Sequence, residues 1–366
     1  MVIIGTRPEA IKTAPVVNAL RREAGRITVR VCATGQHRQL LEQALAPFDI
    51  VPDVDLAVMQ ADQTPSRVAA AVLTGLEALL ARERPDWVLV QGDTTTVMAA
   101  AIAAHHARVR VGHVEAGLRS GDMVNPFPEE ANRIVADHLS DLCFAPTVGA
   151  VAALRREGIP DDRIVLTGNT VVDALLSVAA QPWQPGPDNP LARLPANGRL
   201  ILVTAHRRES FGAPLERICQ ALRQLAACGD VHIAYPVHLN PNVHAPVTAA
   251  LGGVPGITLL PPLDYRSLVH LMQRATLILT DSGGIQEEAP SLGVPVLVLR
   301  TVTERPEAVA AGTARLVGTD TAAIVAETRR LLDDGAAYAA MRSAANPYGD
   351  GHAAERIVAA LLAADR

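Results

Sequence analysis

Trp87-Val-Leu-Val-Gln-Gly-Asp-Thr-Thr-Thr-Val-Met-Ala-Ala-Ala-Ile-Ala-Ala-His-His-Ala-Arg-Val-Arg-Val-Gly-His-Val114 contains a whole fold unit. Residues 87–90 form a short continuous apolar run that ends in a polar Gly-Asp-Thr cluster. An alanine-rich stretch, 95–106, has the length and composition of a helix, and a second apolar run follows at 109–114. Continuous rather than alternating apolar strands, separated by a helix, indicate a parallel sheet covered on both faces. The same alternation extends outward, with strands at 2–4, 28–33 and 142–145 and helices at 10–22, 39–45, 65–82 and 129–139. It breaks at 181–198, a loop rich in Pro, Gly and Asn. It resumes with strands at 200–204, 231–235, 257–260, 277–280, 294–299 and 314–317, and closes with a helix at 353–364 after Asn346-Pro-Tyr-Gly-Asp-Gly351. The expected fold is α/β, with two Rossmann-like domains in tandem facing a cleft. Their expected extents are 1–175 and 176–345, with 346–366 as a C-terminal helical segment.

Composition narrows the function. Hydrophobic residues make up 49% of the chain and aromatics only 3%, so two cores must be built from Ala, Val, Leu and Ile. The formal net charge of −5 leaves no basic excess for binding nucleic acid. Cys32, Cys143, Cys219 and Cys228 form no C-x-x-C pair, and neither a secretory leader nor an apolar run of membrane-spanning length is present. A cytoplasmic protein with free thiols is the expectation. The very short first strand is consistent with a natural start a few residues upstream. Lys12 is the only lysine; every other basic side chain besides histidine is arginine. Because a compact ammonium and a planar guanidinium are not interchangeable in a tight site, Lys12 is a candidate functional cation.

The chemistry-bearing residues cluster where strands end, which is where open α/β sheets bind ligands. In Gly5-Thr-Arg-Pro-Glu-Ala-Ile-Lys12, Thr6 and Glu9 have capping-box spacing, while Arg7 and Lys12 place two cations near a helix N-terminus. Asp93 stands where it can cap the next helix or project a carboxylate beyond the strand; the local sequence allows both. Glu115 ends the strand at 109–114, and Glu129 opens the helix at 129–139. Three carboxylates on neighbouring strand–helix junctions suit acid/base chemistry. Metal-ligand spacing is lacking around His113, so no metal is expected. In the second half, His206 precedes Arg207 and Arg208 at a strand end. Ser282, Gly283 and Gly284 offer a cap and close backbone approach for a phosphate. Glu288 is placed to accept ribose hydroxyls, and Arg305 could reach the same ligand.

Taken together, GTRPEAIK (5–12), TGQHRQ (34–39), GDTTT (92–96), GHVEAGLRSGD (112–122), PFPEEANR (126–133), TGNTVVDAL (167–175), HRRESFG (206–212), YPVHLNP (235–241), DSGGIQEEAPSLGVPVLVLR (281–300), TERPEAV (303–309) and NPYGDG (346–351) span essentially the whole chain. In this ordered set the sequence resembles the non-hydrolysing UDP-N-acetylglucosamine 2-epimerases. The resemblance implies a GT-B architecture with the last helix returning to the first domain, a cytoplasmic homodimer, and no cofactor, neither NAD nor metal. It implies interconversion of UDP-GlcNAc and UDP-ManNAc through elimination of UDP to 2-acetamidoglucal and re-addition, in nucleotide-sugar supply for cell-envelope polysaccharides. An epimerase of a related UDP-2-acetamido sugar, or a GT-B glycosyltransferase, are the alternatives.

On the matching positions the resemblance implies proton transfer by Asp93, Glu115 and Glu129. It implies a role for Lys12 and His206 in catalysis as well as in binding, and a grip on UDP by Arg7, Lys12, His206, Ser282, Gly283, Gly284, Glu288 and Arg305. Leu268 stands where relatives often carry an aromatic residue near the uracil. Gln36, Gln39 and His238 match a regulatory site that binds a second UDP-GlcNAc in some members, but Asp62 replaces an arginine used there.

Overall fold

The computed structural model describes residues 1–35, 38–58 and 63–364, the side chains of 38–40 excepted. Gln36, Asp62 and the Gln39 side chain therefore lie outside the described residues. The chain divides into two compact units, Met1–Ser177 together with Tyr348 onward, and Val178–Pro347.

The first unit holds β1 (Val2–Ile4), β2 (Val31–Ala33), β3 (Val54–Asp55), β4 (Trp87–Gln91), β5 (Arg110–Val114), β6 (Leu142–Ala145) and β7 (Ile164–Leu166). All pairings are parallel, in the order β3-β2-β1-β4-β5-β6-β7. Two of these strands are absent from the expected pattern. β3 has only two residues, and β7 is a three-residue apolar run, Ile164-Val-Leu166, at the sheet edge with Leu166 exposed, so both are too short for periodicity to mark. The expected strand at 28–33 shortens to Val31–Ala33.

The second unit holds β8 (Arg199–Thr204), β9 (Val231–Pro236), β10 (Ile257–Leu260), β11 (Leu277–Thr280), β12 (Val296–Val298) and β13 (Ala314–Leu316). They form a second parallel sheet, β10-β9-β8-β11-β12-β13. Each sheet has a switch point, between β1 and β4 and between β8 and β11. There the chain leaves in opposite directions and opens a crevice beyond the strand ends.

Alanine does much of the packing. In the helix Thr95–His106, Ala99, Ala100, Ala101, Ala103 and Ala104 are buried beside Val88, Val90 and Val111. Small side chains let this helix lie close to the sheet, which is how a core forms with so few aromatics. Residues 181–198 are mostly exposed but anchored at points: Leu191 and Leu194 are buried, and Asn189 donates to Ser267 Oγ at 3.1 Å. The last helix, Ala353–Ala364, packs on the helix Arg7–Arg22. Its first N–H groups, those of Ala353 and Ala354, donate to the Asp173 carboxylate at 3.2 and 2.8 Å, a side-chain answer to the unpaired donors of a helix start.

Candidate active site

Three adjacent strands of the first unit aim at one carboxylate. Glu115 follows β5 in left-handed backbone conformation, φ 70°. For a non-glycine residue this is costly, and such strain persists where surrounding contacts enforce it. Lys12, projected by the helix that starts after β1, donates to Oε1 and Oε2 at 2.7 Å each. Gln91, the last residue of β4, donates to Oε2 from within the core. The sole lysine is therefore the counter-ion of a buried acid.

Asp93 does not cap the helix that follows. Thr94 is the N-cap and accepts the Val97 N–H at 3.3 Å, which leaves the Asp93 carboxylate for other work. Arg133 donates to Asp93 Oδ2 through Nε at 3.1 Å and Nη2 at 2.5 Å, and Asn132 donates to the Asp93 carbonyl at 2.9 Å. Glu129 and Glu130 behave differently although adjacent. Glu130 is structural: it accepts the N–H groups of Ser120 and Gly121 and an Arg133 hydrogen bond at 2.9 Å. Glu129 Oε2 is buried with no hydrogen-bond partner among the described residues. A buried acceptor left unsatisfied calls for an explanation, and a catalytic role is one of those it admits.

Glu9 forms only half of the expected capping box: Thr6 caps the Glu9 N–H, while the Glu9 carboxyl takes the N–H of Gly5, one residue before the N-cap. The Gly5 N–H and Thr6 hydroxyl donate to its carboxyl at 2.6 and 2.9 Å, and Thr6 Oγ1 accepts the Glu9 N–H. Burial lifts its pKa from 4.5 to about 7 against those hydrogen bonds. A folded pKa above the unfolded one means that the folded chain binds this proton more tightly. Its contribution to stability is therefore full below pH 4.5 and is lost as pH rises to about 7. Urea titrations of Glu9→Gln should show the variant gaining on the wild type by about 3 kcal/mol across that window, with no further change above it. A gap that ignores pH would refute this.

In the second unit, the ends of β8, β11 and β12 converge. Asp281 Oδ2 accepts the N–H groups of His206 and Arg207 at 2.7 and 2.8 Å, so the anion these loops first bind is internal. His206 Nδ1 lies 3.4 Å from Asp281 Oδ1. Burial pushes the His206 imidazole below its ordinary pKa despite this carboxylate, and His238 and Arg207 add to the depression. His238, expected at a separate regulatory site, stacks on His206 with centroids 5.5 Å apart.

Ser282 occupies the N-cap position of the helix Gly283–Glu288, but its side chain makes no capping bond, contrary to expectation. A Cβ at Gly283 would stand 3.7 Å from both Arg207 Nη2 and Arg305 Cζ, ordinary van der Waals contact with both side chains. Two guanidiniums thus flank the Gly283 backbone. Arg305 also pairs with buried Glu287 through Nε. Glu288, the last residue of this short helix, is buried and accepts the Tyr265 hydroxyl at 2.7 Å. Leu268 is half-buried on the helix Tyr265–Arg274 that carries Tyr265.

The structure thus gathers Lys12 with Glu115, and separately His206 with Ser282, Gly283, Glu288 and Arg305 on neighbouring strand ends. Arg7 is exposed at the start of its helix. Residues that the sequence reading passed over include Gln91, Arg133, Asp281 and Tyr265. The first three sit inside or beside the motifs, and a polar residue closing an apolar run is the signal that would have marked Gln91. No cluster of three or more His, Cys, Asp or Glu fit to hold a metal occurs among the described residues. No described helix is long and apolar enough to cross a membrane.

Comparison with known proteins gives the family. The UDP-N-acetylglucosamine 2-epimerase family profile matches residues 18–362. A UDP-N-acetylglucosamine 2-epimerase of Salmonella typhimurium is 53% identical over 367 residues, covering 99% of this chain and 97% of its own. The structure of UDP-GlcNAc 2-epimerase from Neisseria meningitidis bound to UDP-GlcNAc has a TM-score of 0.88 at 42% identity, covering 99% of each chain. That from Methanocaldococcus jannaschii, in complex with UDP-GlcNAc and UDP, has a TM-score of 0.79 at 35% identity, again covering 99% of each. The glycosyltransferase SnogD of Streptomyces nogalater, at 18% identity and a TM-score of 0.61, shares the fold alone, which is the GT-B class. The chain belongs to the UDP-N-acetylglucosamine 2-epimerase family.

Proposed function

We propose that this chain interconverts UDP-GlcNAc and UDP-ManNAc by elimination and re-addition of UDP. The C2 proton of the sugar is not α to a carbonyl and is hardly acidic. Its removal becomes feasible when the C1–O bond to UDP breaks as the C2–H bond does. The products are 2-acetamidoglucal and UDP. Return of UDP to C1, with protonation at C2 from the other face, gives the epimer.

Asp93, Glu115 and Glu129 carry the proton transfers, and the observation that carries the reading is Glu115. A strained, buried carboxylate held by Lys12 and Gln91 is over-determined for a structural acid. Lys12 and Arg7 supply fixed positive charge. His206, Arg305 and the Ser282–Gly284 backbone hold the diphosphate, which gains charge as it leaves and is stabilised by donors already in place. Glu288, aligned by Tyr265, accepts the ribose hydroxyls, and Leu268 packs on the uracil. We further propose a homodimer acting in the cytoplasm, without metal or NAD, in the supply of envelope polysaccharide precursors; sedimentation at twice the chain mass checks the dimer.

Incubation with UDP-GlcNAc in D₂O tests the reaction. Deuterium should enter C2 as UDP-ManNAc accumulates, and absence of exchange would sink the proposal. Glu288→Ala should weaken UDP binding by roughly ten-fold or more, the size of a lost charge-assisted hydrogen bond. Unchanged affinity by calorimetry would remove its ribose role.

A further inference from the structure

We infer that His113 is a positioning residue, an imidazolium at neutral pH that locks together the three segments bearing Asp93, Glu115 and Glu129; the inference rests on the proton-transfer reading above. His113 lies on β5, two residues before Glu115, and is fully buried. Its Nδ1 is 2.6 Å from Asp137 Oδ1, on the helix that opens with Glu129. Its Nε2 is 2.7 Å from the carbonyl of Gly92, the residue before Asp93. One ring therefore joins the strand of Glu115, the turn of Asp93 and the helix of Glu129.

Both of its contacts are hydrogen-bond acceptors. A neutral imidazole has one N–H and one lone pair, so it would set that lone pair against an oxygen in a buried site. The imidazolium donates to both. Moving the proton to Asp137 is the competing arrangement. It is opposed by Arg119 Nη2 and the Gly117 N–H, which donate to Asp137 Oδ2 at 2.6 and 3.1 Å and favour the carboxylate. Arg119 also forms two hydrogen bonds to Glu157 at 2.7 Å. With His113 protonated, this set holds two positive and two negative charges; with it neutral, a negative charge is left over. Burial lowers the His113 pKa, but the adjacent Asp137 reverses this and the net shift is upward, while that of Asp137 is downward. The other titratable neighbours are Asp93 beyond Gly92, and Cys143 on β6, in register with His113, whose thiol burial keeps neutral.

The turn needs such a lock. Gly92 has φ 84°, a conformation that glycine adopts without strain but does not by itself maintain. β5 grips it at both ends, with Val114 O accepting its N–H at 3.0 Å and His113 donating to its carbonyl. Release of the carbonyl would free the Asp93 turn without touching Lys12 or the nucleotide-binding loops.

¹⁵N-histidine NMR of the full chain, with His113 assigned by its loss in His113→Gln, should show both ring nitrogens protonated at neutral pH. A deprotonated Nδ1 would overturn the inference. In His113→Gln and His113→Asn, kcat should fall roughly 10–100-fold, as expected of a misplaced catalytic group, with KM and UDP affinity unchanged. A wild-type kcat in either variant overturns the positioning role. Asp137→Asn removes the charge that sustains the imidazolium. Activity lost as pH rises through the His113 pKa should then be lost at lower pH, and an unmoved basic limb of kcat also overturns the inference. Should the wild type exchange no deuterium at C2, the epimerase reading fails by itself, and the NMR result still decides the charge of His113.

Discussion

Glu115→Gln should lower turnover by about 10²–10⁴-fold, the usual contribution of a positioned acid or base, while UDP still binds. The substitution preserves size and removes only the charge and the proton-carrying ability. It also turns a pure acceptor into a group with its own N–H donors. Lys12 donates to both Glu115 oxygens, and Gln91 donates to one of them, so the variant amide must set a donor against a donor. Loss of proton transfer and loss of alignment act in the same direction. Most residues proposed to bind UDP, His206, Ser282–Gly284, Glu288 and Arg305, lie in the other unit, Val178–Pro347, so UDP affinity by calorimetry separates a catalytic defect from a binding one. A variant turning over near the wild-type rate would remove Glu115 from the chemistry.

Lys12→Arg should be nearly inactive, although it keeps the charge. The ammonium sits 2.7 Å from both carboxylate oxygens, with Lys12 only 17% exposed and Glu115 7%. A guanidinium is planar and broader, and its fork cannot occupy that point without displacing Glu115 or Gln91. Lys12→Met should be inactive and also less stable, by up to about 3 kcal/mol, because it leaves a largely buried carboxylate without its counter-ion. Since Lys12 is the only lysine, amine acylation gives an independent check. It should abolish activity, and UDP should slow the inactivation. An active arginine variant would mean that Lys12 is not a functional cation.

Both effects depend on contacts that local sequence does not reveal. Asp93 shows why. Its position allowed a cap or a functional carboxylate, and only the structure assigns the cap to Thr94 and gives Asp93 to Arg133. Neighbouring Glu129 and Glu130 are the same residue type in one motif. Backbone donors from Ser120 and Gly121 absorb Glu130 and leave Glu129 with an unsatisfied oxygen. Ser282 had the residue type of a cap, yet its side chain makes no cap bond.

The amino-acid sequence alone determined the α/β class, the existence of two parallel-sheet units and the strand ends that carry the candidate site residues. Those features follow from periodicity and turn chemistry, which act over a few residues. It also set Lys12 apart by composition. The tertiary structure decided the switch points between β1 and β4 and between β8 and β11, and with them which strand ends become neighbours. It paired Lys12 with Glu115, 103 residues away, and closed His113 onto Asp137 and Gly92. Such pairings depend on strand order and burial. A lysine and a glutamate read the same in any helix or loop until the sheet brings them together, where desolvation makes their contact matter.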